Sequence, residues 1–153
     1  MSGKGAPQFS VSGAGLRVFI VASSWHEQVM SGLIAGAEKE LRKAGAEDIN
    51  LWRVPGAFEL PLGAELAIEN GAEVVIALGV VIRGETPHFE YVCEAATSGL
   101  GDVQLKHKVP VGFGLLTVNS ESEALDRAGL ATSKEDKGAE AVQAALMMAS
   151  LGI

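Results

Sequence analysis

Three short segments of this 153-residue chain hold side chains that could act together on a small molecule. Ser23-Ser24-Trp25-His26 offers an indole face able to stack a flat heterocycle, followed by an imidazole. Gly56-Ala57-Phe58-Glu59 adds a second aromatic ring and a carboxylate that could accept hydrogen bonds from a polar ligand. Arg83-Gly84-Glu85-Thr86-Pro87-His88 reads as a turn, a Thr-Pro helix start and a histidine in the first helical turn. Unpaired backbone N–H groups at such a start suit a phosphate, and an imidazole beside them can serve as general base or proton shuttle. Later in the chain stand Phe113, Arg127 and Lys137. Each residue also has a plainer reading. Thr86 could be an ordinary cap, His88 a surface histidine, Trp25 a lid on the core and Glu59 a helix-start carboxylate. Phe113 lies mid-strand and could be core, Arg127 could complement the negative end of a short helix, and Lys137 belongs to a charged loop. His26 and His107 are weaker candidates. Cys93 has no second cysteine and no histidine pair, which favours packing over metal binding or nucleophilic attack. No Walker loop and no G-x-G-x-x-G opening the first helix are present.

The elements that must position these residues follow a repeating rhythm. Leu16–Ala22 is a short, branched, apolar run and predicts a buried strand. Met30, Leu33, Ile34, Ala37 and Leu41 set a helix over Glu27–Ala44, with Gly45 as its C-terminal cap. Ile49–Val54 is a second strand. Pro61 marks a helix start, the helix runs over Leu62–Asn70, and Gly71 stops it. Val74–Ile82 is the strongest strand. Thr86 is expected as N-cap with Pro87 at the first helical position, before the stripe Phe89, Val92, Ala96, Leu100 and Val103. Val109–Leu116 gives a fourth strand. Ser120-Glu121-Ser122-Glu123 is a capping box opening a helix through Ala128. A polar loop over 129–136 leads to a closing helix, Gly138–Leu151. Residues 1–15 read as a flexible arm, with a short strand at Phe9-Ser10-Val11, and 16–153 as one domain. Strands this apolar must be covered on both faces, so the fold is α/β, a four-stranded parallel sheet in a three-layer α/β/α sandwich. Ligands in such folds bind beyond the carboxyl ends of the strands, where all three segments fall.

Composition narrows the function. At 48% hydrophobic residues the chain can offset its conformational entropy, which excludes disorder. A net charge of −7 argues against a nucleic-acid binder and against a surface held to membranes by basic residues. The longest apolar run, Val74–Ile82, is about half of a roughly 20-residue membrane span. No secretory leader is visible, and a lone cysteine fits a reducing compartment, so a cytoplasmic location is expected. Glycine, at 19 residues, is abundant enough to predict tight turns and close packing.

Taken together, these segments resemble the lumazine synthase family, of flavodoxin-like fold, over Leu16–Leu151. The most specific stretches are Val54-Pro55-Gly56-Ala57-Phe58-Glu59-Leu60-Pro61 and Ala77-Leu78-Gly79-Val80-Val81-Ile82-Arg83-Gly84-Glu85-Thr86-Pro87-His88-Phe89. Val109-Pro110-Val111 with Phe113-Gly114, Leu125-Asp126-Arg127-Ala128-Gly129 and Asp136-Lys137-Gly138-Ala139-Glu140-Ala141 support them. The resemblance implies condensation of 5-amino-6-(D-ribitylamino)uracil with 3,4-dihydroxy-2-butanone 4-phosphate, without a cofactor or metal. It implies that Trp25 stacks on the pyrimidine, with Ala57, Phe58, Glu59, Val80, Val81 and Ile82 against the ring and ribityl chain. Glu85 and Thr86 would hold the phosphate through backbone N–H groups, Arg127 would pair with it, and His88 would be the acid/base. Phe113 would line the pocket and Lys137 would lie close to it. Family members place Phe113, Arg127 and Lys137 in the neighbouring subunit, which implies a homo-oligomer with its site at the interface. Pentamers are general, and shell-forming members usually carry a short Gly-Asn-Lys-Gly connection. The longer stretch Leu130-Ala131-Thr132-Ser133-Lys134-Glu135-Asp136 favours a free pentamer here. Many members have Phe-Asn where this chain has Trp25-His26, and tryptophan preserves stacking. The rival readings are a non-catalytic flavin- or lumazine-binding module and a phospho-receiver. Ser23-Ser24, in place of an acidic cluster, disfavours the receiver.

Overall fold

A computed structural model describes residues 4–152 of the chain. The order is β1 (Arg17–Ser23), α1 (Glu27–Lys43), β2 (Asp48–Val54), a 3-10 turn (Ala57–Glu59), α2 (Leu60–Glu69), β3 (Val74–Ile82), α3 (His88–His107), β4 (Val111–Val118), α4 (Glu121–Leu125) and α5 (Lys137–Leu151). The four strands form one sheet, every neighbouring pair parallel, in the order β2-β1-β3-β4. This is the expected α/β/α sandwich of flavodoxin-like type. Alternation along the strands divides the core into two layers. Val18, Ile20 and Ala22 face a layer completed by Met30, Leu33, Leu41, Val142 and Leu146, which belongs to α1 and α5. Phe19 and Val21 face the other layer, with Leu60, Ala64, Ala96 and Leu100 from α2 and α3. The strands are nearly continuous in apolar residues because both faces are covered.

Abundant glycine lets the layers approach closely. A side-chain carbon added at Gly138 would overlap the Leu33 carbonyl, so α5 lies against the α1 backbone at this point. One at Gly79 would lie 3.0 Å from Leu60 Cδ1 and 3.0 Å from Ser23 Oγ, where β3 meets the start of α2.

Several boundaries differ from the sequence expectation. β4 begins after Pro110, because proline has no N–H for the ladder; its carbonyl still accepts from Val75 N at 3.0 Å. α2 starts at Leu60, directly after the 3-10 turn, with Pro61 in its first turn. Thr86 is not the cap of α3. Pro87 holds that position, and α3 opens with no side-chain cap hydrogen bond. Ser120 does cap α4, accepting from Glu123 N at 3.2 Å, but Glu123 reaches back to Asn119 N rather than to Ser120. α4 ends at Leu125, where Arg127 and Ala128 turn the chain and Gly129 takes φ 69°. Asp136 caps α5, accepting from Ala139 N at 3.0 Å. Phe9–Val11 forms no strand, although Val11 packs on the α1/α5 layer. No helix among the described residues is long and apolar enough to cross a membrane.

Candidate functional site

The sheet order fixes where a ligand can lie. From β1 the chain moves outward to β2, then returns to β3 on the other side of β1. Connections leaving the carboxyl ends of β1 and β3 therefore diverge, and a crevice opens between them. It has a volume of about 690 Å³, within the size range of small-molecule sites.

Each wall is set by local chemistry. At the end of β1, Ser24 Oγ donates to Val54 O at 2.8 Å, and Arg53 Nη2 donates to Ser23 O at 2.9 Å. These bonds tie the ends of β1 and β2 and hold the corner that carries Trp25. His26 completes the corner in the left-handed region, at φ 58° and ψ 67°, before α1. The second wall is the Ala57–Glu59 turn. Glu59 N donates to Gly56 O at 3.2 Å, and Gly56 N donates to Glu59 Oε1 at 2.9 Å. The Glu59 carboxylate thus closes its own turn and keeps further lone pairs for a ligand. Trp25 is 67% exposed and Phe58 63% exposed, so two aromatic rings stand open at the rim. The floor is Val80, Val81 and Ile82 at the end of β3. His88, at the start of α3, closes the far side.

The crevice therefore gathers Trp25, Ala57, Phe58, Glu59, Val80, Val81, Ile82 and His88 in one subunit. It also includes His26, Gly56, Tyr91 and Val92. Helical spacing could have located Tyr91 and Val92, since they follow His88 by one turn on the same face. Glu85 and Thr86 lie in the exposed bend over 84–87 and do not line the crevice. Phe113, Arg127 and Lys137 also lie outside it. Arg127 lines a separate hollow of about 350 Å³ with Lys4, Asp126, Lys134 and Glu135. Its Nη1 donates to Glu123 O at 2.9 Å, the dipole-complementing contact expected at the end of a short helix. Its Nε lies 3.7 Å from Glu135 Oε2. Lys137 Nζ lies 3.3 Å from Glu140 Oε1 and 3.8 Å from Glu135 Oε1. Phe113 is 50% exposed, on the same side of β4 as Leu115, which faces the α2/α3 layer. β4 is an edge strand, and at Phe113 that side is left open.

An aromatic rim, a carboxylate and an imidazole around a switch-point crevice define a small-molecule site in an α/β sandwich. Residues 15–152 match the family model described as 6,7-dimethyl-8-ribityllumazine synthase. The chain is 57% identical to a protein of that name from Kineococcus radiotolerans, covering 95% of this chain and 91% of that one. It is 58% identical to one from Leifsonia xyli subsp. xyli, covering 97% and 95%, and 54% identical to one from Streptomyces coelicolor, covering 98% and 94%. The chain belongs to the 6,7-dimethyl-8-ribityllumazine synthase family.

Proposed function

We propose that this protein condenses 5-amino-6-(D-ribitylamino)uracil with 3,4-dihydroxy-2-butanone 4-phosphate to form 6,7-dimethyl-8-ribityllumazine, the penultimate step of riboflavin biosynthesis. The observation that carries the reading is the convergence of Trp25, Phe58, Glu59 and His88 on one crevice in a chain of this family. Trp25 stacks on the pyrimidine, while Ala57, Phe58, Glu59 and the Val80–Ile82 floor contact the ring and ribityl chain. The 5-amino group attacks the butanone carbonyl, and loss of water gives a Schiff base. Inorganic phosphate then leaves by elimination. The ribityl-bearing nitrogen closes the ring on the remaining carbonyl, and a second water is lost. His88 moves protons in these steps. The amides around Glu85 and Thr86 hold the phosphate.

The active particle is a homo-oligomer, a pentamer, in which Phe113, Arg127 and Lys137 of one subunit complete the crevice of the next. Support comes from their place outside the crevice of their own subunit and from apolar surface on the α2/α3 side. Tyr91 is 71% exposed, Leu105 77%, and Phe113 lies open on the edge strand. The lone, half-buried Cys93 fits a reducing compartment, which supports the cytoplasm as the place of action. The test is direct: mix protein with both substrates and follow lumazine fluorescence and phosphate release. Product formation is expected. Tight lumazine binding with no turnover would instead establish a non-catalytic binding module.

A further inference from the structure

Arg83 has no part in the reaction as described, yet its side chain meets the elements on both sides of the 84–87 bend. Its backbone N donates to Val118 O at 2.9 Å, and its Nε donates to Asn119 Oδ1 at 2.9 Å, so it is moored to the end of β4. From that mooring its Nη1 donates to Glu90 Oε1, and its guanidinium carbon lies 4.4 Å from the centroid of the Phe89 ring. Phe89 and Glu90 are the two residues that follow His88. The Glu90 carboxyl is held below the usual range, chiefly by the Arg83 hydrogen bond.

An exposed ion pair contributes little by itself. What distinguishes Arg83 is that one planar group meets the Asn119 side chain just beyond β4, a ring and a carboxylate at once. That grip falls where the helix lacks its usual fastening, because no side chain caps α3. No side chain among the described residues hydrogen-bonds the His88 ring, so its location depends on the turn that carries it.

We propose that Arg83 is a positioning residue. It locks the first turn of α3 to the end of β4, and thereby fixes the His88 imidazole and the amides of the 84–87 bend. The inference rests on the condensation reading, and two readouts keep the two apart. In Arg83→Ala, amide hydrogen exchange over 90–95, which begins where Glu90 N and Tyr91 N donate to Pro87 O, is expected to quicken about tenfold, with core strands unchanged. In the same variant kcat should fall about tenfold and KM for the butanone phosphate rise about tenfold, while KM for the uracil stays within about twofold. Arg83→Lys should recover only part, since an ammonium cannot span both moorings. Glu90→Gln, which keeps shape and removes the charge, should shift both readouts the same way by less.

Unchanged exchange over 90–95 in both Arg83→Ala and Glu90→Gln would overturn the proposal. So would equal rises in both KM values together with faster exchange in the core strands, which marks general loosening. If wild-type protein makes no lumazine, the condensation reading falls, and the exchange measurement still decides whether Arg83 holds the turn.

Discussion

Mixing two crippled variants tests the shared site most sharply. His88 lines the crevice, whereas Arg127 lines a different hollow of the same subunit. If a working site needs both, each site takes its histidine from one copy and its guanidinium from a neighbour. His88→Ala alone removes proton transfer and should slow turnover by about 10²–10⁴-fold, leaving measurable activity. Arg127→Ala removes a charged hydrogen bond to the phosphate, worth about 1.5–3 kcal/mol, or roughly 10–100-fold in use of the butanone phosphate. Co-refold the two variants in equal amounts. Half the copies then keep His88, and half of their neighbours keep Arg127, so about a quarter of the sites are whole for any ring size. Activity should climb to about a quarter of the wild-type rate at subsaturating butanone phosphate, above either variant alone. The assay is lumazine fluorescence against mixing ratio, with a maximum at equal amounts. A mixture that shows only the average of its two components, after mass spectrometry has confirmed mixed particles, would refute the shared site.

Three further outcomes follow from other parts of the molecule. Gly138→Ala pushes α5 off the Leu33 carbonyl and should cost about 1–3 kcal/mol, seen as a lower melting temperature. Trp25→Ala should raise KM for the uracil about tenfold, whereas Trp25→Phe, which keeps a stacking face, should stay within about threefold in steady-state assays. Glu65 accepts from Lys106 Nζ at 2.9 Å and pairs with His107 Nε2 at 3.0 Å. The Lys106 hydrogen bond, then that of His107, lowers its pKa. A depressed carboxyl stabilises the fold above the ordinary carboxylate range and loses that contribution as pH falls through its folded value. Glu65→Gln should therefore melt earlier at neutral pH, with the difference vanishing in acid on thermal scans.

The sheet was readable because Val74–Ile82 and its companions are apolar on both faces, a pattern few alternatives share. Element ends were less readable. Pro110 displaced the start of β4 by removing one donor, and Pro87 took the place expected of Thr86. These are single-residue effects that periodicity does not carry. Within the site, Trp25, Phe58 and His88 stood at strand or helix ends and could be flagged from spacing. Val92 was passed over because it belongs to the apolar stripe of α3, and Tyr91, outside that stripe, was not singled out, although the first turn of the helix faces the crevice. The roles proposed for Phe113, Arg127 and Lys137 were beyond spacing altogether. No local pattern in one chain says which surface of another copy it will meet.

Asp136 braces the stretch proposed to meet a neighbouring copy. Its carboxylate caps α5 and fills notches left by Gly36 and Gly129, while Lys137 N donates to Arg127 O at 3.0 Å. The stretch that bears Arg127 is thus buttressed inside its own subunit. If the proposed shared site holds, a mutational scan would score Asp136 and Gly36 as though they touched substrate, since they brace the stretch that carries a distant guanidinium.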